Sequence, residues 1–115
     1  MKKKIAVLGS TGSLGKILCN YISKNLNRYD VNLLVANKNV SELLSQAKKL
    51  KVKNIIIYNK EIFKKLSNKK LKFNIFNNIE DFQNTNKGKI FDYTLAAISG
   101  LNGLVPTFKI IKNTK

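Results

Sequence analysis

Ile5-Ala-Val-Leu-Gly-Ser-Thr-Gly-Ser-Leu-Gly15 joins a run of four apolar residues to three glycines spaced three apart. A continuous apolar run is what a strand buried on both faces requires, and a glycine turn behind it lets the chain reverse into a helix. Gly9 permits a sharp turn, Gly12 lets the backbone approach a bulky anion, and Gly15 lets the helix pack closely on the sheet. The amides of the helix's first turn, at the positive end of its dipole, then face phosphate groups. Thr11 and Ser13 add hydroxyls without adding negative charge. Two readings stand side by side, a phosphate-binding loop and a purely structural turn, and a glycine pattern alone does not separate them. A P-loop is excluded, because no Gly-Lys-Ser/Thr closes the stretch.

The rest of the chain alternates short apolar runs with helical stripes. After the first strand, Leu14, Ile17, Leu18, Tyr21, Ile22 and Leu26 are read as one helical stripe. Val31 to Ala36 is the second strand. Val40, Leu43, Leu44, Ala47 and Leu50 mark a second helix, with Asn39 and Glu42 spaced as a capping box. Ile55 to Tyr58 is the third strand, Glu61 to Leu66 a short helix, Lys72 to Phe76 a fourth strand, and Ile79 and Phe82 a helical turn. Phe91 to Ile98 is the last strand, and Leu104, Phe108 and Ile111 belong to a final helix with Pro106 in its first turn. Such alternation needs right-handed crossovers, which place helices on both faces of a parallel sheet. The expected class is α/β: a doubly wound, Rossmann-like, mostly parallel sheet in a single domain spanning residues 1–115.

In that architecture the ligand lies beyond the carboxyl ends of the strands, where the glycine loop sits. The end of the second strand selects the dinucleotide. An acid there accepts hydrogen bonds from a ribose 2′-hydroxyl and repels a 2′-phosphate. The chain has Ala36-Asn37-Lys38-Asn39 instead. Lys38 offers a cation, and Asn37 and Asn39 are neutral partners, so NADPH is expected over NADH. The plainer readings make Lys38 a surface lysine and Asn39 a helix cap, and a cap and a ligand can coexist.

Composition limits the alternatives. The 115 residues carry 22 Lys and Arg against 6 Asp and Glu, a formal charge of +16. The basic residues are dispersed and only Arg28 is an arginine, so the planar fork that reads base edges is almost absent; a solvated surface is favoured over nucleic-acid binding. No apolar run reaches the length of a membrane span, and the single Cys19 forms no internal disulfide, so the expectation is cytoplasmic with no membrane partner. Cys19, Tyr21 and Tyr58 are read as packing residues. Asp92 is read as a structural acid at the strand end remote from the ligand. The chain has no histidine, and its acids are not paired for metal binding.

Three motifs in order carry a resemblance over essentially the whole chain: Gly9-Ser-Thr-Gly-Ser-Leu-Gly15, Leu34-Val-Ala-Asn-Lys-Asn-Val40 and Ala96-Ala-Ile-Ser-Gly-Leu-Asn-Gly-Leu-Val-Pro-Thr107. Together they resemble the amino-terminal domain of 1-deoxy-D-xylulose 5-phosphate reductoisomerases. The resemblance implies an NADPH-dependent enzyme of non-mevalonate isoprenoid biosynthesis, homodimeric at full length. It rearranges 1-deoxy-D-xylulose 5-phosphate and reduces the aldehyde to 2-C-methyl-D-erythritol 4-phosphate with Mg2+ or Mn2+. By motif position Thr11, Gly12, Ser13 and Leu14, flanked by Gly9 and Gly15, would contact the pyrophosphate. Asn37, Lys38 and Asn39 would hold the adenosine end, with Asn37 standing where many members carry glycine. Ala97, Ile98 and Ser99 would lie beside the ribose or nicotinamide.

Family members run to several hundred residues. The next strand that the resemblance implies after the Ala96 to Thr107 motif, one ending in Asn-Lys-Glu, is missing from these 115 residues, as are the acidic metal ligands and the catalytic lid, so the chain reads as an NADPH-binding fragment, inactive alone and short of its last strands. The competing readings are a non-catalytic nucleotide-binding module of the same fold and another NADP-dependent reductase.

Overall fold

A computed structural model describes residues 2–36, 39–68, 71–88, 90–96 and 114. In chain order the elements are β1 (Lys3–Leu8), α1 (Ser13–Ser23), β2 (Tyr29–Ala36), α2 (Val40–Leu50), β3 (Asn54–Ile57), α3 (Lys60–Ser67), β4 (Asn74–Phe76), α4 (Ile79–Thr85) and β5 (Tyr93–Ala96). The strands form one sheet in the order β4-β3-β2-β1-β5, and every pairing is parallel. The chain steps outward from β1 to β4, then returns across the sheet to place β5 on the other side of β1. This reversal is the doubly wound pattern anticipated from the alternation. The final helix expected around Leu104, Phe108 and Ile111 lies outside the described residues.

β1, β2 and β3 are sandwiched between two cores. Ile5, Val7, Val31, Leu34, Ala36, Ile55 and Ile57 pack with Cys19 and Ile22 of α1, Leu43, Ala47 and Leu50 of α2, and Leu66 of α3. Ala6, Leu8, Leu33, Val35 and Ile56 turn to the opposite face, where Ile79 and Phe82 of α4 and Phe91 cover them. Burial on both faces explains why these strands read as unbroken apolar runs. On the second face Phe82 is the hub: it stacks on Phe91 with ring centroids 6.0 Å apart and meets Phe76 edge-on at 5.6 Å.

The β1–β2 pairing holds a feature the apolar pattern concealed. Ile5 pairs with Val31 but Ala6 pairs with Leu33, so Asn32 is an extra residue bulged out of register. The bulge lets Val31 and Leu33, two positions apart, enter opposite cores. The Asn32 carbonyl and side-chain oxygen accept from Asn54 Nδ2 at 3.2 and 2.9 Å, and Asn54 Oδ1 accepts from Asn74 at 3.2 Å. This asparagine ladder crosses three strands and satisfies polar groups that are buried at Asn32 and Asn54.

The first helix corrects the stripe assigned to it from sequence. Its buried face is Gly15, Cys19 and Ile22. Leu14, Ile17 and Tyr21 are 52%, 66% and 53% exposed, so Tyr21 is not a core residue, although its ring lies 6.4 Å from that of Tyr29. Gly15 and Cys19 bring the helix to the sheet, Ile22 is buried with them, and Leu14, Ile17 and Tyr21 face outward. Asp92 fits its structural reading: its carboxylate accepts from the Lys4 amide at 2.8 Å, at the amino ends of the strands.

Two measurements test this packing. Phe82→Ala is expected to destabilise the chain by about 3–5 kcal/mol, the usual cost of deleting a buried aromatic ring; a urea-midpoint change worth under 1 kcal/mol would contradict its place as hub. Burial, with a smaller push from Glu42, raises the Cys19 thiol from 9.0 to about 11. A two-unit rise leaves about a hundredfold less thiolate at pH 8. Iodoacetamide should therefore modify the native chain at least that much more slowly than the urea-unfolded chain.

Candidate functional site

The sheet reverses its winding between β1 and β5. The crossover through α1 leaves β1 on one face and the crossover through α4 arrives at β5 from the other, which makes the carboxyl ends of β1 and β5 the switch point at which doubly wound sheets take ligands. β5 ends level with β1, Ala96 pairing with Leu8. The glycine loop, residues 9–12, lies on the β1 side of that switch point and leads directly into α1.

The loop is built almost wholly from backbone. Gly9 has φ 76°, a left-handed conformation that glycine adopts without strain. The amides of Gly9 and Ser10 both donate to the carbonyl of Val35 at the end of β2, at 2.8 and 3.2 Å. The Gly12 amide donates back to the Gly9 carbonyl at 3.2 Å, and the Gly12 carbonyl accepts the Lys16 amide at 2.9 Å, starting the helix. Three amides of the turn are thereby used internally. Among the described residues, those of Thr11, Ser13, Leu14 and Gly15 meet no acceptor.

Those open donors stand at a helix terminus unlike those of the other described helices. Asn39, Asn59 and Asn78 cap α2, α3 and α4 through their side chains, and each of those helices has an acid in its first turn. Gly12 caps α1 with no side-chain bond, and no acid follows it. A site with free amides, a positive dipole end and no competing carboxylate suits an anion.

The glycines divide by cause. A Cβ on Gly15 would lie 2.1 Å from the Gly9 carbonyl oxygen and 2.7 Å from Ser10 backbone, so close packing excludes any side chain there. A Cβ on Gly12 would meet only the Gly9 oxygen at 3.6 Å, an ordinary contact. Gly12 has φ −75°, which any residue adopts. Neither the fold nor the backbone conformation demands glycine at position 12, whereas a ligand approaching the backbone would.

Beside the loop, α2 begins at the end of β2. Asn39 caps it as its position implied, accepting from the Glu42 amide at 3.3 Å. Asn37 and Lys38, expected at the adenosine end, lie outside the described residues, as do Ala97, Ile98 and Ser99. Sequence reasoning missed Gln46. It is buried on α2 and donates through Nε2 to the Ser10 carbonyl at 2.8 Å and to Glu42 Oε1 at 3.4 Å. Its signal was a polar residue within the buried row Leu43, Gln46, Ala47 and Leu50. Among the described residues, no group of three or more His, Cys, Asp or Glu is placed to hold a metal ion.

The comparisons accord with this geometry. Residues 5–115 match the family described as 1-deoxy-D-xylulose 5-phosphate reductoisomerase. Relatives of that name from Pelagibacter ubique and Wigglesworthia glossinidia brevipalpis are 46% and 36% identical, each over 98% of this chain and 30% of their own length. The chain thus spans about a third of the curated relatives it matches. Among solved structures, the reductoisomerase of Zymomonas mobilis in complex with NADPH superposes with a TM-score of 0.77 at 30% identity, covering 96% of this chain and 30% of that one. A second, in complex with NADPH, fosmidomycin and magnesium, gives 0.79 at 25% identity over 96% of this chain and 28% of that one. By its whole-chain family match and the identity of its relatives, the chain belongs to the 1-deoxy-D-xylulose 5-phosphate reductoisomerase family.

Proposed function

We propose that residues 1–115 form the NADPH-binding portion of a 1-deoxy-D-xylulose 5-phosphate reductoisomerase. The observation that carries this is the pairing of open first-turn amides with a glycine at position 12 that the chain's own packing does not need. The pyrophosphate would rest on the amides of Thr11, Ser13 and Leu14, with the hydroxyls of Thr11 and Ser13 beside it. The adenosine end would lie toward Asn37, Lys38 and Asn39, where no carboxylate opposes a 2′-phosphate. Ala97 and Ile98 would take the ribose or nicotinamide side. Bound NADPH supplies a hydride; the chain's part is to hold it at the switch point of the sheet.

For the whole protein the same reading carries the reduction and rearrangement of 1-deoxy-D-xylulose 5-phosphate, a homodimer and a cytoplasmic location. It includes no nucleic acid and no membrane as partners; no helix among the described residues is long and apolar enough to cross a membrane. The described residues do not fit the Mg2+ or Mn2+ of the family, so no step through a metal is derived for this chain.

Titration followed by nicotinamide fluorescence tests the cofactor. NADPH is expected to bind at least tenfold more tightly than NADH, and equal affinities would sink the preference. Two glycine variants test the site. Gly12→Ala should leave the melting temperature within a degree or two while weakening NADPH at least tenfold, because its methyl fits the protein but intrudes on the ligand's approach. Gly15→Ala should cost more than the roughly 1–3 kcal/mol of ordinary overpacking, since the clash is with backbone. If Gly12→Ala binds NADPH as well as the parent chain, the loop is only a turn.

A further inference from the structure

Ser10 is wholly buried at the base of the glycine loop, whereas Thr11 is half-exposed and Gly12, Ser13 and Leu14 reach solvent. The Ser10 carbonyl points inward to the Nε2 of Gln46, 2.8 Å away across 36 residues of sequence. In a trans peptide the carbonyl of one residue and the amide N–H of the next point in opposite directions. Fixing the Ser10 carbonyl toward α2 therefore aims the Thr11 N–H away from α2, to the outer side of the loop. That N–H is one of the donors with no acceptor among the described residues.

Without Gln46 the peptide between Ser10 and Thr11 loses the only side-chain bond holding its orientation among the described residues. A rotated peptide would present a carbonyl oxygen to an incoming phosphate in place of an N–H. The same Nε2 also reaches Glu42, whose amide is capped by Asn39. One continuous chain, Asn39–Glu42–Gln46–Ser10, thus links the start of α2 to the glycine loop.

We infer that Gln46 is a positioning residue for dinucleotide binding: it orients the Ser10–Thr11 peptide so that the Thr11 amide faces the pyrophosphate, and it ties that orientation to the α2 terminus. The inference rests on the NADPH reading above, in that it names what the aimed donor serves. Gln46 touches no ligand itself, and its effect passes through the loop backbone.

The test compares two ligands on the 115-residue chain carrying Gln46→Met, which keeps length and volume but cannot donate. NADPH affinity should fall about tenfold, while affinity for 2′-AMP, which lacks the pyrophosphate, changes less than twofold. Amide hydrogen exchange at Thr11 in the ligand-free chain should rise several-fold. Gln46→Lys, which restores a donor of similar reach, should recover most of the NADPH affinity. Should Gln46→Met fail to fold, Gln46→Asn, whose amide falls one methylene short of Ser10, carries the same comparison. Equal loss for both ligands, or unchanged NADPH affinity, overturns the inference. If the parent chain binds no NADPH, the cofactor reading fails on its own. Faster Thr11 exchange in the variant would then still uphold the role of Gln46 in orienting the peptide, and unchanged exchange would end it.

Discussion

No side chain can stand at position 15, and the remainder of the site depends on that exclusion. Because a Cβ there would lie 2.1 Å from the Gly9 oxygen, the first turn of α1 sits in backbone contact with the turn that leaves β1. The helix consequently starts close to the carboxyl end of β1, where the sheet reverses its winding. The Val35 carbonyl, taking both the Gly9 and Ser10 amides, ties this turn to β2. The loop's geometry is therefore set by the β1–β2 pairing and not by loop side chains.

The cost of this arrangement shows in the helix termini. An asparagine cap stabilises a helix by about 1 kcal/mol, and an acid in the first turn adds a favourable interaction with the dipole. Three of the four described helices have both, and α1 has neither. Leaving its amides open forgoes stability that every neighbouring helix takes. An anion bound there restores the missing acceptors from outside the chain. The dispersed lysines behind the formal charge of +16 favour any polyanion in general and select no one site.

Much of this was legible in residue order because the sheet is buried on both sides. Ile5 to Leu8, Leu33 to Ala36 and Ile55 to Ile57 are unbroken apolar runs for that reason, and turn residues separate them from helices whose stripes repeat with the helical period. What stayed hidden has physical causes. The α1 stripe was misassigned because apolar identity does not report burial when a helix approaches the sheet through Gly15 and Cys19, leaving Leu14, Ile17 and Tyr21 outside. The Asn32 bulge was invisible because a strand apolar on both faces has no alternation for an extra residue to disrupt. Gln46 escaped notice because its partner is a backbone carbonyl 36 residues away, which no local spacing encodes.

The glycine motif itself gained meaning only when its three members were separated. Gly9 answers to a left-handed φ and Gly15 to backbone contact, so both would be required of a purely structural turn. Gly12 answers to neither, so neither its backbone conformation nor its packing accounts for it. Two groups are held protonated: burial, helped by Glu80, pushes Tyr58 up to about 12, and burial, helped by Glu42, pushes Cys19 up to about 11. Open amides at the α1 terminus, with no carboxylate in its first turn, make that terminus the described helix end best suited to an anion.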